Sequence, residues 1–141
     1  MNYYLKFTIN DINFAAPIEE IIEIARPKIV LKQEKISKNI VGFFELRKKR
    51  LPIYDLPKFL ELKTNDKFEV IVSEIKQKNI GFKVDKVFGI ITAETITPFP
   101  DLISPKDYLP GLIKEEDDLV QVLLFRKVVT GSRLKAIKKY I

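Results

Sequence analysis

A mainly β fold built from a duplicated barrel is predicted for this chain of 141 residues, and three observations predict it. One hairpin-like stretch occurs twice. Ile40-Val41-Gly42-Phe43-Phe44, then Glu45-Leu46-Arg47-Lys48-Lys49-Arg50, then Leu51-Pro52-Ile53-Tyr54 shares its hydrophobic skeleton with a later segment. That segment runs Leu109-Pro110-Gly111-Leu112-Ile113, then Lys114-Glu115-Glu116-Asp117-Asp118, then Leu119-Val120-Gln121-Val122-Leu123. A shift of 69 positions carries Gly42 to Gly111 and Ile53 to Val122. Each copy reads as a strand, a polar turn and a return strand, basic the first time and acidic the second. An upstream stretch repeats as well: a shift of 66 carries Tyr4 to Val70, Ile9 to Ile75, Phe14 to Ile80, Ile18 to Val84, Ile21 to Val87 and Ile24-Ala25 to Ile90-Ile91. Thirdly, short alternating runs with turn residues between them at intervals of about 8–12 positions, and little helix, are the pattern of small barrels.

The elements follow in chain order. Residues 4–9 alternate, Asn10-Asp11 supplies a turn, and residues 12–17 return as the second strand of a hairpin. The run Pro17-Ile18-Glu19-Glu20-Ile21-Ile22-Glu23-Ile24 is too rich in β-branched residues for a long helix, so a single turn near Glu19-Glu20 and a strand over 22–25 are expected. Asp85-Lys86-Val87-Phe88 is the counterpart in the second half. After the basic hairpin, Asp55-Leu56-Pro57-Lys58-Phe59-Leu60 predicts a helix of about two turns, with Asp55 accepting from free backbone N–H groups and Pro57 where no N–H is needed. Both halves become irregular at proline, at Arg26-Pro27 and at Thr97-Pro98-Phe99-Pro100, before reaching their glycine hairpin. At the C-terminus Ser132 is placed to cap a basic helix over about 132–141, whose Leu134, Ile137 and Ile141 form an apolar stripe.

Composition narrows the chemistry. The chain has no Cys and no His, which removes disulfides, thiolates and the commonest general base and metal ligand. Carboxylate, Lys or Tyr chemistry remains, but those groups are scattered along alternating strands, without a Gly-rich phosphate cradle or a nucleophile elbow. Neither a catalytic set nor a cofactor is expected. Glu115-Glu116-Asp117-Asp118 cannot converge on one metal ion from a single turn, so no metal is expected either. With 46% hydrophobic and 31% charged residues and only short apolar runs, the chain reads as a folded domain that neither spans nor inserts into a membrane. Its start alternates and lacks the profile of a signal peptide, so a cytoplasmic location is expected. The net charge of +6 allows weak attraction to polyanions without concentrating in one stripe.

Four motifs in order resemble the CheW-like domain family. Phe14-Ala15-Ala16-Pro17-Ile18-Glu19-Glu20-Ile21-Ile22-Glu23-Ile24 resembles its opening pattern. Val41-Gly42-Phe43-Phe44-Glu45-Leu46-Arg47 with Leu51-Pro52-Ile53-Tyr54-Asp55-Leu56 is similar to its central signature. Ile80-Gly81-Phe82-Lys83-Val84-Asp85-Lys86-Val87 and Tyr108-Leu109-Pro110-Gly111-Leu112 resemble the two that follow, so the likeness runs from about residue 4 to residue 129. The resemblance implies one CheW-like domain over 1–141: two intertwined five-stranded SH3-like β-barrels sharing a core, with short helices and the C-terminal basic helix. It implies a non-enzymatic adaptor that couples the cytoplasmic tip of chemoreceptors to the regulatory domain of the histidine kinase CheA, associated with membrane receptor arrays through those partners.

The site residues follow from the same resemblance. Ile21, Glu23, Val41, Phe43 and Arg47 are expected to face the receptor, with apolar anchors and polar groups for register. Asp55 and Asp85 are expected to be structural, as a helix cap and as an acceptor for backbone donors. The family turn carries Asn and Gly where this chain has Glu45 and Lys48, which predicts a longer or looser turn here. The second half also lacks the acidic residue that many relatives carry near Leu124-Phe125, and has Arg126-Lys127 nearby. The two charged turns, Arg47-Lys48-Lys49-Arg50 and Glu115-Glu116-Asp117-Asp118, are candidates for setting polarity in an assembly. The alternative function is a small basic barrel that binds nucleic acid, which would require exposed aromatics among its cations; Phe43, Phe44, Tyr54 and Phe59 fall in apolar patterns instead, so no specific nucleic-acid partner is expected.

Overall fold

The computed structural model describes residues 1–32, 38–100 and 106–138, with backbone alone for 131, 132, 136 and 138. Ten strands form two sheets: β1 (Asn2–Ile9), β2 (Ile12–Pro17), β3 (Ile21–Ala25), β4 (Ile40–Leu46), β5 (Lys49–Tyr54), β6 (Glu69–Ile75), β7 (Lys78–Val84), β8 (Lys86–Ala93), β9 (Gly111–Glu115) and β10 (Asp118–Val122). One sheet has the order β8-β1-β2-β10-β9 and the other β3-β6-β7-β5-β4. Each half of the sequence therefore lends its first hairpin to one barrel and its last three strands to the other. The second barrel is continuous in sequence from β3 to β7, whereas the first is assembled from the two ends of the described chain.

The two repeats keep one register. Ile53 pairs in parallel with Gly81, and Val122 with Ala15, which are the same positions under the shifts of 69 and 66. Isolated bridges Leu31 to Phe43 and Thr97 to Leu112 are likewise equivalent. They also explain the repeated glycine. A Cβ on Gly42 would lie 2.7 Å from the carbonyl oxygen of Leu31, and one on Gly111 would lie 2.5 Å from that of Thr97. The connector of each half crosses its hairpin too closely for any side chain.

Strand residues of alternate parity feed two different cores. On β1, Tyr4 faces the first barrel's interior with Ala15, Ile113, Val120 and Val122, while Leu5, Phe7 and Ile9 face the other barrel. On β6, Val70 and Val72 join Phe44, Leu51 and Ile53 inside the second barrel, while Ile71 and Ile75 face the first. Strands that feed two cores carry apolar residues at both parities. Between the barrels a run of aromatic rings connects the sheets: Phe14 to Phe7 (5.7 Å), Phe7 to Phe125 (6.1 Å), Phe125 to Phe82 (4.4 Å) and Phe82 to Tyr54 (5.8 Å). Rings at these spacings add roughly 0.5–1.5 kcal/mol per pair beyond the area they bury.

Three details differ from the sequence reading. The helix after the basic hairpin, α1 (Leu56–Phe59), is a single turn instead of two. Asp55 caps it as expected, accepting from the Lys58 N–H at 3.2 Å, but Glu61 turns to φ 60° and the chain leaves through Glu61 N–H to Lys58 O and Leu62 N–H to Pro57 O. That pair of bonds is the left-handed exit that ends helices. The basic turn is tight, not loose: Arg47 and Lys48 alone connect β4 to β5, with φ 50° and 67°. Without Asn or Gly, each left-handed residue costs about 1 kcal/mol, and the paired strands on either side, from Leu46↔Lys49 back to Ile40↔Tyr54, hold the turn in place. Asn10-Asp11 and Lys76-Gln77 turn the same way. At the C-terminus, α3 (Gly131–Lys138) begins before Ser132, which lies inside the first turn instead of capping it. Leu134 and Ile137 are buried in the inter-barrel core as expected; Ile141 lies outside the described residues.

A second helix, α2 (Phe125–Val128), stands 69 positions after α1. Its cap position is Leu124, whose side chain has no oxygen to offer. Glu20 supplies it from a distance: its Oε1 accepts from the Phe125 N–H at 2.8 Å and its Oε2 from Arg126 at 2.6 Å, while its backbone carbonyl accepts from Ser73 Oγ at 2.6 Å. The acidic residue absent near Leu124 is thus replaced by one on the 3₁₀ turn Ile18–Glu20, where the chain passes from the first sheet to the second. A charged acceptor held by two donors is worth about 1.5–3 kcal/mol, so Glu20→Ala is expected to lower the free energy of unfolding by about 2 kcal/mol, measured by denaturant titration, with Glu20→Gln recovering part of it.

Tyr54 provides a second test. Burial pushes its phenol above 10.0, opposed by the positive charge of Arg133 and the bond from Asn39, and assisted by the charge of Asp55. The folded state thus favours the neutral ring, and this contribution is complete below the unfolded value and is lost as pH rises through the folded one, because the unfolded chain ionises first. The melting temperature is expected to fall as pH rises past the ordinary tyrosine value of about 10, and to fall less in Tyr54→Phe.

Candidate functional site

The five residues expected to face a receptor do not form one surface. Glu23 and Arg47 are brought together: the guanidinium donates to Glu23 Oε1 at 2.5 Å, joining edge strand β3 to the β4–β5 turn at the opposite edge of the same sheet. Arg47 remains largely exposed at this position, with 75% of its side chain accessible, so the pair sits at the surface with hydrogen-bonding capacity left on the guanidinium. Ile21 and Val41 are partly buried and pack against the inter-barrel core and the second barrel's core. Phe43 has no exposed surface, and the Arg50 guanidinium lies 4.0 Å from its ring centroid. Phe43 is a core residue that shapes the sheet and is not available for contact.

The apolar groups available beside the Glu23–Arg47 pair are its strand neighbours. Ile22 and Ile24 are 44% and 37% exposed on β3, and their counterparts under the shift of 66, Phe88 and Ile90, are 55% and 60% exposed on β8. β3 and β8 are each one edge of their sheets, and the other edges, β4 and β9, are bridged by Leu31 and Thr97. Ile24 lies opposite Ile71 and Ile90 opposite Leu5, both residues of the inter-barrel core, so this core continues outward onto each edge strand. The sequence held a trace of this, because β3 carries isoleucine at both strand parities, more than one buried face needs.

Asp55 and Asp85 are both structural. Asp85 Oδ2 accepts from the Asn10 N–H at 2.7 Å, and its own N–H donates to Thr8 O at 3.0 Å, fixing the β1–β2 turn where the chain passes from β7 to β8. Of the two charged turns, Lys48 and Lys49 are exposed at the tip of the second barrel, as are Glu116, Asp117 and Asp118 at that of the first. Glu115 is partly withdrawn, paired with Lys6 at 2.7 Å across its barrel.

Other chemistries find little support in this arrangement. Phe44 and Tyr54 are buried, as is Phe43, and Phe59 packs edge-on against Tyr108 at 4.9 Å, so the cations of the basic tip are not interleaved with stacking rings. Among the described residues no three carboxylates gather into a group able to hold a metal ion, and no helix is long and apolar enough to cross a membrane.

Comparison with known proteins concerns the family and the fold. The CheW-like domain family matches residues 3–132. The chemotaxis protein CheW of Helicobacter pylori is 26% identical over 132 residues, which span 89% of this chain and 80% of that protein. The crystal structure of the scaffolding protein TtCheW from Thermoanaerobacter tengcongensis superposes with a TM-score of 0.81 at 20% identity, covering 94% of each chain, so the fold is shared.

Because Arg47 is mostly exposed, its ion pair with Glu23 is worth roughly 0–1 kcal/mol. Arg47→Ala is expected to shift the denaturation midpoint little, in contrast to Glu20→Ala, so that any loss of partner binding in that variant reports on recognition and not on folding.

Proposed function

The chain belongs to the CheW-like domain family, and from this membership we propose how its surface serves a chemotaxis scaffold. As a family member it is a non-enzymatic adaptor of chemotaxis signalling. Its proposed partners are the cytoplasmic tip of a chemoreceptor and the regulatory domain of the histidine kinase CheA.

The observation that carries the receptor half of this reading is the exposed apolar edge of β3 beside a surface ion pair. Ile22 and Ile24 can anchor an amphipathic helix, and the Glu23–Arg47 pair can fix its register through the donors that Arg47 keeps. Ile22 and Ile24 take the anchoring role in place of Ile21 and Phe43, whose side chains serve the core. Glu23 and Arg47 keep the polar role expected of them.

Offering the native receptor tip and the kinase regulatory domain together in a pull-down tests this reading. Both are expected to be retained by the wild-type chain. The double variant Ile22→Asp with Ile24→Asp is expected to weaken receptor capture by about tenfold or more while leaving the circular dichroism spectrum unchanged. Binding of neither partner, alone or jointly, would refute the adaptor role.

A further inference from the structure

β8 is an edge of the first sheet, and among the described residues no further strand pairs with its outer side. Its side chains alternate: Lys86, Phe88, Ile90 and Thr92 are exposed, as is Glu94 just past its end. Tyr3, opposite Thr92 on β1 and so on the same face, is exposed as well. The edge therefore offers unpaired backbone groups beside apolar side chains, the combination that invites another strand. Its charges are placed symmetrically. Lys86 and Glu94 stand four positions on either side of Ile90, and neither has an ion-pair partner among the described residues.

We propose that β8 pairs antiparallel with β8 of a second copy of this chain, about a two-fold axis at Ile90, so that the two first sheets join edge to edge. In this register the segment is its own complement. Ile90 faces Ile90, Phe88 meets Thr92, and Lys86 meets Glu94 at both ends. On the other face Gly89 comes opposite Ile91, and a Cβ built on Gly89 meets nothing within 4 Å, so there is room for that side chain. The Val87 N–H is already taken by Glu69 Oε1 at 2.8 Å, and the register against β1 shifts beside it, so the new ladder spans 88–92 with the charged pairs just outside. A slip of two residues would keep the faces matched but separate Lys86 from Glu94, which fixes the register. β3 cannot pair with itself in this way. Glu23 at its centre would face its own copy, and the flanking Glu20 and Arg26 are engaged by Arg126 and Glu69. The pairing leaves β3 open, goes beyond the adaptor reading and needs neither a receptor nor a kinase.

The chain has no cysteine, so a single introduced thiol reports on the axis. In the full chain carrying Ile90→Cys the two thiols face each other on strands whose Cα atoms lie about 4.5–5.5 Å apart, within the span of a disulfide. Mild oxidation is expected to yield the covalent dimer roughly tenfold faster than in Ile22→Cys, which places an exposed thiol on β3. Sedimentation velocity of the unaltered chain is expected to show a dimer that grows with protein concentration. Lys86→Glu and Glu94→Lys each set like charges against one another at both ends, and each is expected to weaken the dimer by roughly tenfold, with the melting temperature verifying the fold. Combining Lys86→Glu with Glu94→Lys restores unlike pairs and is expected to restore the dimer. A chain that stays monomeric at every concentration, Ile90→Cys that cross-links no faster than Ile22→Cys, or a double variant that associates no better than the single ones would each overturn the proposal. A failed receptor pull-down leaves these outcomes untouched, so the two readings are judged separately.

Discussion

Exchange of strands between the halves forces the chain to pass from one barrel to the other, once after β2 and once after β7, and a carboxylate is fixed at each passage. Glu20 at the first holds the N-terminus of α2 together with Arg126, and through its backbone it holds Ser73 of the opposite sheet. Asp85 at the second holds the turn of the β1–β2 hairpin. Both contacts are long in sequence and local in space. The second sheet is continuous from β3 to β7, but the first is completed only when both passages have brought β8, β9 and β10 back to β1 and β2, and the inter-barrel core with its run of aromatic rings closes only then.

Duplication leaves the backbone nearly unchanged while the side chains have divided the work. Gly42 and Gly111 are kept by the same crossing connector, and Ile53 and Val122 by the same parallel pairing. Where packing imposes no condition the copies part. The cap of α1 is a local Asp55, but α2 has Leu124 in that place and takes its cap from Glu20. Glu23 meets Arg47 on β3, whereas its counterpart on β8 is Gly89, beside a shift in register against β1. A turn position has no neighbour that would penalise either charge, so Arg47 and Lys48 could stand in one copy and Glu116 and Asp117 in the other.

The surface this creates is uneven in a useful way. Most apolar side chains are consumed by three cores, and of the large ones left exposed four lie on the free edges β3 and β8. An exposed apolar edge strand is an aggregation hazard unless something manages it. Here the charges nearby do so, Glu23 and Arg47 on one edge and Lys86, whose ammonium stands 5.1 Å from the Phe88 ring centroid, on the other. The same charges would give a docking partner its register, so the groups that guard the exposed edges and those that would make docking selective are one set.

Alternation and repetition were enough to read the strands, the two hairpin families, the turn at Glu19-Glu20 and the structural roles of Asp55 and Asp85, because these depend on neighbours within a few residues or on a pattern that recurs at a constant offset. The tight turn at Arg47-Lys48 was not legible: local preference argues against it, and the strand pairing that imposes it is a property of the sheet. The burial of Phe43 and the exposure of Ile22 and Ile24 were hidden for a related reason: where apolar residues stand at both parities, parity no longer separates core from surface, and the covering of one edge strand by the connector at Leu31 is decided by contacts distant in sequence. Glu20 was the least visible of all, lying 105 residues from the helix it caps. The sequence by itself determined which segments become strands and that they come in two related sets; the tertiary structure alone decided which set completes which barrel, because this depends on contacts between residues that no local rule connects.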